Sequence, residues 1–136
     1  MGLSLKLSAK YDGNIKNAVE NFKELVGFCS QHKSLNLPST QCAKLATEVT
    51  INGGSYQDLI APKFKELISF LKEHKSGPKL PLLKSISIAK EIILYGEKAT
   101  ENFTQAFKFA VSKDGLKYDH TMAMDFATKL AKRSLN

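Results

Sequence analysis

Between Pro81 and Lys113 the apolar positions recur at alternating steps of three and four. Ile86, Ala89, Ile93, Gly96, Thr100, Phe103, Phe107 and Ala110 hold one direction of a helix at that spacing. A second row runs beside it through Ile88, Ile92, Tyr95, Ala99, Phe103 and Ala106. The pattern predicts one long helix over about residues 81–113. A helix apolar over so wide an arc must be covered on more than one side. Gly96 lies in its interior, where Gly costs roughly 1 kcal/mol against Ala. That placement predicts a bend or a close helix crossing.

The remaining pattern predicts the covering helices. Ile15, Ala18, Val19, Phe22, Leu25, Val26 and Cys29 share one face of a helix from about Asn14 to Lys33. Cys42, Leu45, Ala46 and Val49 mark a second from Ser39 to about Ile51, which Asn52-Gly53-Gly54 ends. A third is expected from the cap-like Ser55–Asp58 to about Lys75. Pro62 predicts a kink or break in it near Ile60–Ala61. The last starts at Asp119 and carries Met122, Ala123, Phe126, Ala127, Leu130 and Ala131 in a narrow stripe of small and large residues. Leu3, Leu5 and Leu7 alternate with period two, but no second strand exists to pair with them. Residues 1–11 are therefore expected as an extended arm. The expected fold is all-α: a single domain over residues 1–136, with about five helices packed around the long central one. No internal repeat stands out at a period the pattern defends.

Composition adds bounds. The chain has 136 residues, 43% of them hydrophobic, enough to bury a core without staples. No apolar run approaches the roughly 18 residues of a membrane span. The stretch Met1–Ser8 is too short and polar for a signal peptide, and the myristoylation pattern fails at Lys6. A cytoplasmic location is the simplest expectation, or secretion if a leader has been removed.

The net charge of +7 comes almost entirely from lysine, with Arg133 the single arginine. Lys72, Lys75, Lys79 and Lys84 surround one expected loop, and Lys129, Lys132 and Arg133 form a second cluster. A phosphate backbone would be drawn to such clusters with strong salt dependence. Lysine lacks the bidentate fork of arginine, and no aromatic residues interleave these positions. A solvated basic face is the first reading, and polyanion binding the alternative.

Cys29 and Cys42 face each other if the first two helices form an antiparallel hairpin. They stand either as two buried thiols acting as small hydrophobes or as a disulfide. Cys29, His32 and Cys42 supply only three of the four ligands of a structural zinc site. His74 and His120 sit near helix ends, and the glutamates Glu91, Glu97 and Glu101 read as a solvated face. No nucleophile motif, phosphate loop or carboxylate–histidine helix pair appears. No cofactor, metal or enzymatic activity is expected. Phe103, Phe107 and Phe109 beside Gly96, Ala99, Ala106 and Ala110 suit either an interdigitated core or a cavity for an apolar ligand. The expected function is a non-enzymatic helical interaction module for a protein partner, of adaptor, effector or toxin-neutralising type. Leu3, Leu5, Leu7, Tyr56 and Met124 are its expected exposed contacts. Non-specific nucleic-acid binding is the runner-up, and an apolar small-ligand carrier follows.

Overall fold

The computed structural model describes residues 15–52, 60–96 and 98–133. Among these residues the chain is all-α, with six helices and no strand. They are α1 Ile15–Ser30, α2 Ser39–Asn52, α3 Ile60–Lys72, α4 Leu82–Ile93, α5 Ala99–Val111 and α6 His120–Lys132. None is long and apolar enough to cross a membrane. The expected arm at residues 1–11, the Ser55–Asp58 start, and Tyr56 lie outside the described residues. Residues up to Lys65 form one compact unit and those from Glu66 a second, so the division falls within α3.

The long helix expected over 81–113 is two helices, α4 and α5. Its first half ends as the ladder tightens: Leu94 N–H donates to Glu91 O at 3.2 Å and Tyr95 N–H to Ile92 O at 3.1 Å. Gly96 follows with φ 110°, a backbone state only glycine enters at no steric cost. A helix cannot run through that conformation. Gly96 does interrupt the helix, but in place of the expected bend or close crossing it separates two elements. The sequence pattern concealed this because the buried stripes of α4 and α5 happen to stay in phase across the turn.

The expected kink or break at Ile60–Ala61 falls at the edge of the described residues. α3 is described from Ile60, and Pro62 lies within it as described. The neighbouring free donor, Ala61 N–H, is taken by Asn21 Oδ1 of α1 at 3.0 Å, and Asn21 is buried.

An internal repeat absent from the sequence reading is present in the structure. The loops after α1, α3 and α5 have one design. A single residue turns left-handed: Asn36 (φ 53°), Lys79 (φ 53°) and Lys117 (φ 57°). The next amide folds back onto the preceding helix, from Leu37 to Cys29 O (3.0 Å), Leu80 to Leu71 O (2.7 Å) and Tyr118 to Ala110 O (2.7 Å). The following residue then accepts the first bond of the next helix: Pro38 from Cys42, Pro81 from Ser85, Asp119 from Ala123, at 2.9–3.0 Å. Aligned on these loops, the sequence repeats too. Phe22-Lys-Glu-Leu25 returns as Phe64-Lys-Glu-Leu67, and Glu20-Asn-Phe22 as Glu101-Asn-Phe103. Each repeat is a helix, this loop and a second helix, with a period of about 40 residues.

The matched positions do matched work. Ala18, Ile60 and Ala99 are fully buried, as are Cys29, Leu71 and Ala110. Across the loop, Cys42, Ser85 and Ala123 are also fully buried, and so are Ala46, Ala89 and Ala127. In the third repeat these small residues let α5 and α6 pack along one another. Ala123, Ala127 and Ala131 carry that contact, while Met122, expected on the same stripe, is 50% exposed. Asp119 caps α6 by accepting from Met122 N–H at 2.8 Å. Replacing Asp119 with Ala should cost about 1 kcal/mol of thermal or urea stability, because it orphans a first-turn donor. Asp119→Asn should retain most of it.

Candidate interaction surface

The repeat defines where the surface is incomplete. Phe28, Phe70 and Phe109 occupy one position in successive repeats. Phe70 is buried because the following repeat covers it. Its ring meets Phe103 edge-on at 6.3 Å and Phe107 at 5.7 Å, both from α5. The Lys108 ammonium stands 5.8 Å from its centroid. Phe28 is half-buried, and Lys65 of α3 stands 5.9 Å from its ring while also pairing with Glu24 at 3.7 Å. Phe109 has no following repeat among the described residues and is 53% exposed. Leu116 lies against it: the Leu116 amide donates to Phe109 O at 3.2 Å, and Leu116 is itself exposed. Further along, Tyr118, Met122 and Phe126 stand at helical spacing beside Asp125 and Lys129 around a shallow groove. Tyr118 and Phe126 meet edge-on at 6.1 Å.

No protein-family model, curated protein or solved structure matches this chain. The functional reading therefore rests on these surfaces alone.

The lysine clusters divide on inspection. Lys72 pairs with Glu73 (3.5 Å), Lys129 with Asp125 (2.9 Å), and Lys132 with Glu91 (3.5 Å) while lying over the Tyr95 ring. Lys75, Lys79, Lys84 and Arg133 have no ion pair among the described residues, and all four are exposed. Lys113 and Lys117 of the next loop are likewise exposed and unpaired. The loops of the second and third repeats lie side by side. Pro78, Leu80 and Lys84 line one groove together with His120, Thr121 and Met124. Sequence reasoning placed Lys84 and Met124 in unrelated segments; the fold brings them together.

A larger groove, of about 460 Å³, is lined by Glu66, Ser69, Phe70, Glu73, His74, Thr104 and Lys108. It gathers polar groups, but His74 is already engaged. Its Nδ1 accepts from Ser76 N–H at 2.9 Å, and its ring lies 5.3 Å from Phe70. Both glutamates come from α3 and the turn that follows it.

Cys29 and Cys42 are joined as a disulfide, their Cα atoms 5.4 Å apart, tying α1 to α2. Both thiols are thereby consumed, which leaves no thiolate for a zinc set with His32. Among the described residues no group of three potential ligands converges to hold a metal ion. Phe103, Phe107, Ala99, Ala106 and Ala110 are buried core, whereas Phe109 points out of it.

Proposed function

We propose that this protein is a non-enzymatic, repeat-built helical interaction module that binds a protein partner through the outer face of its third repeat. The observation that carries this reading is Phe109. The same position in the second repeat is buried under the next repeat; in the third it is left half open beside Leu116. Repeats of this kind bury their apolar faces against neighbours. An aromatic residue more than half exposed at the position where the matched Phe70 is buried is costly to expose and marks a surface that something covers.

Affinity capture from the source cells, with wild type and Phe109→Glu compared, tests this. Wild type should retain protein that the variant loses, since Phe109 is exposed and its replacement leaves the core intact. Identical retention by both sinks the reading.

A second reading is favoured by the adjoining loops of the second and third repeats. Among the described residues Lys75, Lys79, Lys84, Lys113 and Lys117 are unpaired there, against Asp114 and the capping Asp119. Such an edge suits a polyanion held without sequence specificity. Retention of generic RNA or DNA at about 50 mM salt, lost at a few hundred millimolar, is its signature. No retention at the lower salt removes it.

A further inference from the structure

The geometry points to a specific occupant for the Phe109 face: we propose that it is the first repeat of a second copy of this chain, joined head to tail. This rests on the reading of that face as an interaction surface. The chain makes two related contacts within itself, each supplying part of what is required: a lysine over the ring in one, and an apolar pair with a lysine one turn further along in the other, where Thr104 stands at the Lys65 position. From first to second repeat, Lys65 reaches over Phe28. From second to third, Phe103, Phe107 and Lys108 close over Phe70. A partner for Phe109 therefore needs a helix with two apolar residues one turn apart and a lysine on the same side.

The first repeat carries that set at matched positions. Phe22 and Val26 stand where the second repeat has Phe64 and Ile68 and the third has Phe103 and Phe107. In the second and third repeats these pairs are buried, at 0–2% exposure. In the first repeat Phe22 and Val26 are both only half-buried. Lys23, the counterpart of Lys65, is exposed. The covering face and the face to be covered are thus both present, and both remain partly exposed. Seating one on the other places Phe22 and Val26 against Phe109, with Lys23 over its ring, as Lys65 stands over Phe28. Such an interface uses two different patches and is heterologous.

Sedimentation of the full chain from micromolar to millimolar concentration tests this. The mass of wild type should rise with concentration. Phe109→Glu removes one patch and should weaken association about 30-fold or more. Lys23→Glu damages the other and should weaken it about tenfold. Both residues are exposed, so each variant should keep wild-type circular dichroism. An equimolar mixture of the two variants retains one intact patch of each kind. It should form a dimer that grows no further, at concentrations where each variant alone is monomeric.

Wild type that stays monomeric at about 1 mM overturns the proposal. So does a mixture that fails to pair, or Lys23→Glu associating like wild type, which would mean two Phe109 faces meeting. A monomeric chain that still captures another protein through Phe109 ends self-pairing and leaves the interaction reading standing. Loss of both effects ends both.

Discussion

Phe103→Ala should lower stability by about 3–5 kcal/mol, the cost of deleting a fully buried aromatic ring. The ring lies at 0% exposure and meets Phe70 edge-on across α3 and α5. Its removal deletes apolar burial and leaves a cavity that the short helices around it close only in part. The counterposition Phe64 in the second repeat is equally buried, so Phe64→Ala should cost a similar amount. Phe109→Ala provides the contrast. More than half exposed, it should change stability by no more than about 0.5 kcal/mol. Urea titrations followed by circular dichroism measure all three. A small effect at Phe103 together with a large one at Phe109 would reverse the assignment of core and surface.

Reducing the Cys29–Cys42 bond should lower the stability of the first repeat by about 3 kcal/mol, since the bond closes a short loop in the unfolded chain. The fold should nevertheless survive reduction. The other repeats fill the same two positions with Leu71 and Ser85, and with Ala110 and Ala123, and form the same loop. The bond therefore adds to a turn whose geometry is set elsewhere, by the left-handed residue and the returning amide. A Cys29→Ala/Cys42→Ala chain copies the third repeat and should fold with helix content close to wild type. Its urea midpoint should match that of reduced wild type and not respond to added reductant. A reduced chain that loses the helices of the first repeat entirely would show the loop to depend on the bond.

The repeat was present in the sequence but masked by substitution. Phe-Lys-Glu-Leu recurs openly between the first two copies, yet the third copy reads Phe103-Thr-Gln-Ala106. What persists in all three is mostly burial at matched positions, which Ala, Ile, Cys and Leu all satisfy. A one-residue difference between loop lengths also breaks a strict period. Hydrophobic spacing reports only that a position faces inward, not which neighbour it faces.

The sequence by itself determined the helical class, a departure from regular helix at Gly96, the cap at Asp119 and the inward face of α5. These are local matters of spacing, capping and glycine conformation, decided within one or two turns of chain. Tertiary structure decided the rest. It split the long apolar stretch into α4 and α5, because phase continuity of a stripe does not require continuity of a helix. It sorted the lysines, pairing Lys72, Lys129 and Lys132 with acids and leaving Lys75, Lys79 and Lys84 without an ion pair among the described residues. It gave Phe70 and Phe109, alike in sequence position, opposite surroundings, since α5 packs on Phe70 and no described element packs on Phe109 in the same way. Burial is a property of what packs against a side chain, and distant segments supply that packing.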